Sequence, residues 1–281
     1  MLDTPTNTLI YKLRYIPICL FLGLVFSCSD EDIATADDME AVDPQEEPTN
    51  DNNDGEEEND NGNGEEGSGN NSSCTDPGDF IFNEKDGYVH IEFEEAKFSG
   101  DWELKSNESG FSGDGYMVWT GTQHTGQPGN GFVTYSLKIS NPGTYQFLWK
   151  SAVTIGDNGT EHNDTWLRFD DADDFYAQKG ESIVYPKGTG KTPNPEGATK
   201  DGWFKIYRSG NDLGFKWQSR TFDNNAHDIF VRFDQAGTYT MEISARSSGH
   251  AIDKFVLFKT PFTQSDAISE SNELSVISCN Q

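Results

Sequence analysis

Between residues 80 and 260 the chain alternates apolar and polar positions in short runs, separated by clusters of Gly, Pro, Asn and Asp. The runs fall at 90–98, 116–120, 131–140, 143–152, 164–170, 203–208, 215–222, 228–233, 237–246 and 252–259. A period of two sends successive side chains to opposite faces of a strand, so the pattern predicts about ten strands. No stretch holds a helical apolar period for long, and the spacing is that of two packed sheets. The expected fold class is therefore all-β, a single sandwich of about 180 residues, enough for one core. Its core sides are expected to be Tyr145, Phe147 and Trp149, then Leu167 and Phe169, then Ile229, Val231 and Phe233, then Met241, Ile243 and Ala245. The opposite faces then carry Lys150, Arg168, Arg232 and Arg246, a cationic set suited to an acidic or sulfated polysaccharide, or else one paired with acids such as Asp164 and Glu242. Pro142-Gly143-Thr144-Tyr145 echoes Ala236-Gly237-Thr238-Tyr239, which predicts two equivalent turn-to-strand entries rather than a repeat array.

Upstream the pattern changes. Lys12 and Arg14 precede an apolar run over 15–26, the order of a secretory signal, and the run is too short to span a bilayer as a mature helix. Val25-Phe26-Ser27-Cys28 resembles the lipobox of bacterial lipoproteins, which implies a signal peptide over 1–27 and acylation of Cys28, a membrane anchor. The alternative is an ordinary signal peptide with an incidental cysteine. Ser29-Asp30-Glu31-Asp32 resembles the signal that carries lipoproteins to the outer face of the outer membrane; otherwise these are the first charges of a linker. From Asp30 to Glu66 there are 17 acidic residues and no Lys or Arg. Such a segment buries too little apolar surface to offset its ordering entropy, so 28–73 is expected to be a disordered acidic stalk reaching about 35 to 40 Å. The sequence thus predicts an outer-membrane lipoprotein, exposed at the cell surface, with its folded domain at 74–281. Beyond the signal and the stalk 30 acidic residues face 18 basic ones, which gives no footing for nucleic acid.

Cys19 lies in the signal and Cys28 is the lipid site, which leaves Cys74 and Cys279 as partners in an oxidising compartment. They flank the folded region. A disulfide tying its two ends is expected, two free thiols being the other possibility.

Ile91-Glu92-Phe93-Glu94, the turn Gly110-Phe111-Ser112-Gly113-Asp114-Gly115-Tyr116, the two Gly-Thr-Tyr entries and Ala251-Ile252-Asp253-Lys254-Phe255-Val256-Leu257 together resemble carbohydrate-binding module families 6 and 35, over roughly residues 88 to 259. The resemblance implies a jelly-roll of the galactose-binding-like type that binds polysaccharide or oligosaccharide without cleaving it. It also implies a structural calcium held by Glu92, Glu94 and Asp253. Three carboxylates plus carbonyls suit a hard cation; the plain alternative is surface acids beside Lys254. The family pattern further carries an aromatic clamp to Tyr116 and Trp217, although Trp217 shares a face with Phe215 and a core role is equally open. Ala251 stands where the families have Asn.

Sugar recognition needs an apolar platform and directed polar groups. Alternation sets Trp166 on the face it shares with Asp164 and Arg168, away from Leu167, so it is expected to be an exposed platform. His162, Asn163 and Asp164 would line its rim, joined by Arg246 and His250 from the loop 246–250. Catalysis has little footing: the motifs of serine hydrolases and of zinc proteases are absent. A jelly-roll polysaccharide lyase, with His162 or His250 as base and Arg246 neutralising a uronate, is the alternative enzyme reading, and a structural adhesin is a third. The reading as a whole is a glycan-capturing lipoprotein that serves uptake or degradation machinery.

Overall fold

The computed structural model describes residues 74–279. The predicted signal peptide, Cys28 and nearly all of the acidic stalk lie outside the described residues. Among those described, no helix is long and apolar enough to cross a membrane.

Two sheets face each other. One has the order β10 (Thr199–Lys200), β11 (Trp203–Tyr207), β7 (Asp164–Arg168), β14 (Gly237–Ser244), β5 (Val133–Ile139), β1 (Phe80–Asn83) and β16 (Ile277–Cys279). The other runs β3 (Trp102–Lys105), β4 (Tyr116–Trp119), β15 (His250–Lys259), β6 (Gly143–Val153), β13 (Asp228–Phe233), β8 (Asp174–Lys179) and β9 (Ser182–Val184), with β12 (Lys216–Trp217) paired to β6 and β2 (Tyr88–Glu92) paired to β15. Every pairing between these strands is antiparallel except β1 with β5. The fold is the expected all-β sandwich, built from more and shorter strands than the apolar runs suggest. The run 90–98 leaves its strand at Glu92, and only Lys216–Trp217 of the run 215–222 pairs as a strand.

The core follows from the period of two. Tyr145, Phe147, Trp149, Leu167, Phe169, Ile229, Val231, Phe233, Met241, Ile243 and Ala245 are all buried between the sheets. The two Gly-Thr-Tyr entries open β6 and β14. In each, the Tyr hydroxyl donates to a carbonyl four residues upstream: Tyr145 to Asn141 at 2.6 Å and Tyr239 to Gln235 at 2.9 Å. The repeated triplet therefore fixes the same corner twice, the hydroxyl tying each strand to the turn that feeds it. Register shifts once in β15, between Ile252 and Lys254, and beyond this bulge Phe255 and Leu257 face the core. Cys74 and Cys279 are joined by a disulfide across 205 positions.

Candidate functional site

One end of the sandwich, where β4 ends and β15 begins, holds a cleft of about 320 Å³. Tyr116 and Val118, both buried, form its apolar floor, and Ile155, 43% exposed, stands as an apolar wall, while the Trp119 ring turns inward to the core. Asn107, Thr154 and Ser248 bring hydrogen-bonding groups to the rim. Tyr116 lies on the outer face of the nine-stranded sheet; its hydroxyl donates to Asn107 Oδ1 at 2.9 Å, and its ring meets Phe111 and Phe215 edge-on at 5.9 and 5.2 Å. A second recess of about 190 Å³ adjoins the first, sharing Glu108 and Thr154, and is walled by Leu213 and Phe215. The loop 246–249 closes onto Ile155 only because residue 249 is glycine. Gly249 has φ +78°, and a Cβ there would sit 2.2 Å from Ile155 Cγ1.

The aromatic clamp is thus not the predicted pair. Trp217 lies half-buried against Leu148, Val256 and Phe258, and it is Phe215 that reaches Tyr116. Sequence alternation put Phe215 and Trp217 on one face; the chain's path past Gly214 and along the short β12 separates their contacts.

The rim residues His162, Asn163, Asp164 and Arg246 do come together, on the outer face of the other sheet, around a recess of about 280 Å³. Trp166 does not serve as their platform. It is 2% exposed, its Nε1 donates to the His124 carbonyl at 3.0 Å, and the Arg246 guanidinium lies 5.2 Å above its ring. Alternation gave its face correctly, but the loop 121–131 roofs that face. His250 is not on the rim either: it is wholly buried, with Nδ1 2.8 Å from Thr165 Oγ1 and its ring against Trp149. Burial, with Arg208 nearby, drives its pKa down to about 3, so the lyase constellation is not assembled around it. Asn163 Nδ2 donates to the Arg208 carbonyl, and His162 Nδ1 donates to the Ser248 carbonyl at 2.8 Å.

The cationic face is also corrected. Lys150 and Arg232 belong to one sheet, Arg168 and Arg246 to the other, and each has an acid: Asp253, Asp234, Glu242 and Asp164 in turn. Asp164 additionally accepts from the Ser247 hydroxyl. So paired, these four cations do not form the free stripe expected for an acidic chain.

Sequence reasoning missed two residues here. Arg208 is fully buried, and its guanidinium donates to the carbonyls of Asp212, Leu213 and Gly214 and to the Asp212 carboxylate, so it organises the loop that walls the smaller recess. Lys205, 5% exposed, pairs with Asp223 and lies 5.4 Å over the Tyr207 ring. Both occur on an apolar run, where a buried cation carries no periodic signal; only the need for a partner marks it.

Glu92, Glu94 and Asp253 converge on the turn 110–115. The Ser112 hydroxyl donates to Glu92, the Ser112 N–H to Asp253 Oδ1 at 2.8 Å, and the Asp114 N–H to Glu94 Oε1 at 2.9 Å. Gly113 packs so close that a Cβ would lie 2.5 Å from Glu94 Oε1. Burial raises Glu92 above the usual carboxylate range and pushes Glu94 to about 7. As they stand, no three acidic, His or Cys groups among the described residues are spaced to hold a metal ion, and Lys150 pairs with Asp253. The chemistry of the donor set nevertheless fits a hard cation: all oxygens, with Glu94 Oε2 buried without a donor and Asp253 Oδ2 buried against a cation, the Lys150 ammonium at 3.0 Å.

Fold and cleft together define a β-sandwich with a half-apolar recess at its loop end. No family model and no curated protein matches the chain. Among solved structures it is similar to a Podospora anserina GH26-CBM35 β-(1,4)-mannanase, with 15% identity and a TM-score of 0.38 over 64% of this chain and 29% of that one. It is similar to a family 35 carbohydrate-binding module in complex with a glucuronic acid-containing disaccharide, with 15% identity, TM-score 0.35, and 61% and 94% coverage. A C-terminal family 6 module of a marine laminarinase from Zobellia galactanivorans follows, with 14% identity, TM-score 0.29, and 61% and 99% coverage. These are the two families that the residue pattern resembles.

Proposed function

We propose that the domain is a non-catalytic glycan-binding module, exported and held through acylated Cys28 at the outer-membrane surface, where it captures polysaccharide for uptake or degradation by partner proteins. The observation that carries the reading is the cleft of about 320 Å³, in which exposed Ile155 stands over a buried floor of Tyr116 and Val118 and meets the amide and hydroxyl groups of Asn107, Thr154 and Ser248. A pyranose offers the same division, an apolar C–H face and a ring of hydroxyls. Paired rather than free cations on both outer faces speak for recognition by shape and hydroxyl contacts rather than by net charge.

A structural calcium at Glu92, Glu94 and Asp253 belongs to this reading, supported by the unpartnered buried Oε2 of Glu94 and by the cation that Asp253 already holds in Lys150. Bound there, calcium supplies charge neutralisation; binding it requires Lys150 to release Asp253. Ser112 and Gly113 keep the turn over the carboxylates in either case.

The full chain, probed against arrayed neutral and acidic polysaccharides, should be retained by at least one and should release no new reducing or unsaturated ends. Ile155→Asp, a change at an exposed wall, should weaken binding by about tenfold without lowering Tm. A chain retained by none, or wild-type affinity in Ile155→Asp, would sink the reading.

A further inference from the structure

Four recesses meet around the loop end. The Tyr116 cleft and the Phe215 recess share Glu108 and Thr154. On the other sheet, the recess at Arg246 shares Thr160, Asn163 and Asp164 with a neighbour of about 350 Å³ lined by Lys205, Tyr207 and Asn224. Between the two pairs runs the loop 246–249: Ser248 lines the Tyr116 cleft, the adjacent Ser247 lines the Arg246 recess, and His162 leans on the ridge through its bond to the Ser248 carbonyl. Beneath, Arg208 lines the Lys205 recess and fixes the carbonyls of Leu213 and Gly214, which wall the Phe215 recess.

The two halves differ in chemistry. The first has a buried apolar floor of Tyr116 and Val118 and the exposed wall of Ile155. The second is lined by polar side chains, and cation stacks on ring twice within it: Arg246 over Trp166 beside Asp164, and Lys205 over Tyr207 beside Asp223. Register explains the repetition, since Trp166 pairs with Lys205 and Asp164 with Tyr207 across β7 and β11. The carboxylates of Asp164 and Asp223 are engaged, whereas Arg246 Nε and Arg208 Nε are buried without partners. The exposed side chains of this half, Thr160, Ser209, Asp223 and Asn224 among them, offer sugar hydroxyls both donors and acceptors.

We infer that the four recesses form one track over the loop end, which takes an internal stretch of a polysaccharide several sugars long, its apolar faces in the Tyr116 half and its oxygens in the Lys205 half. This rests on the glycan-binding reading. It departs from a single-sugar pocket in one measurable respect: affinity grows with chain length.

The test uses the full chain and a panel of β-mannan, β-1,3-glucan, α-1,6-glucan, glucuronoxylan and polygalacturonate, each polymer that is retained being cut to a ladder of lengths. Kd should fall by about tenfold or more from the shortest bound fragment to the long ones. Thr160, exposed and common to both polar recesses, gives the blocking variant. Thr160→Trp should abolish the gain with length and leave the shortest fragment's Kd and the Tm unchanged. Hydrogen exchange gives a second measurement: long fragments should protect 160–164 and 222–225, and the shortest should not. A Kd independent of length, a full gain retained by Thr160→Trp, or protection confined to the Tyr116 cleft at every length would overturn the track alone. Retention of none of the panel would overturn the glycan-binding reading with it.

Discussion

His250 is enclosed between the sheets with Nε2 unpartnered, and burial is the main reason that its pKa sits near 3. In the unfolded chain an ordinary histidine titrates near 6.5. Across the window from about 6.5 down to 3 the unfolded state binds a proton that the native state refuses, so stability is complete above the window and is lost as pH falls through it. His90 acts in the same direction, held at about 4 by burial and by Lys254. Denaturant midpoints measured from pH 7 to 4 should therefore fall less steeply for His250→Gln than for the wild type, with the His90 part of the slope remaining. Parallel curves would remove His250 from the account. At the same scale, Trp166 and Arg246 show why a face is not an exposure: the ring points out of its sheet and is capped by a guanidinium and a neighbouring loop.

Among the elements, β1 and β16 form the last two positions of their sheet, and they are also where the disulfide acts. β16 pairs with β1 over only Phe80–Phe82, and Asn83 Nδ2 donates to the Val276 carbonyl beside it. Three paired residues hold an end strand weakly. The bond between Cys74 and Cys279 closes a loop of 205 positions, worth about 5 kcal/mol on the chain-entropy account, with engineered and natural cases often giving less. Reduction, or Cys279→Ser, should lower Tm by roughly 10 °C. Calorimetry with and without reductant checks this, and an unchanged transition in both would show that the crosslink adds nothing to the folded domain. The bulge at Asp253 is the other element-scale device. The period of two carries Asp253 onto the outer face with Ala251, toward the turn 110–115, and the bulge then shifts the register so that Phe255 and Leu257 face the core.

For the whole molecule, chelation is the informative measurement. If calcium binds at Glu92, Glu94 and Asp253, removing it should lower Tm, and readdition should raise Tm with the logarithm of its free concentration, as for any ligand of the native state alone. No shift with chelator and no metal in the purified protein would remove calcium from the proposed function. The sequence by itself determined the sheets and their inner faces, because a period of two fixes which side chains leave a strand together, and the buried set from Tyr145 to Ala245 follows it. It determined the Cys74–Cys279 pairing by elimination, and it named His162, Asn163, Asp164 and Arg246 as neighbours. Tertiary structure alone decided what covers the outer faces. Trp166 lies under the loop 121–131, which is some forty residues away, His250 faces inward because β15 enters with its first side chain toward Val153 and Trp149, and Phe215 rather than Trp217 meets Tyr116. Local periodicity records the side of a strand; burial of that side depends on loops whose course is set by contacts distant in sequence, and these leave no periodic trace.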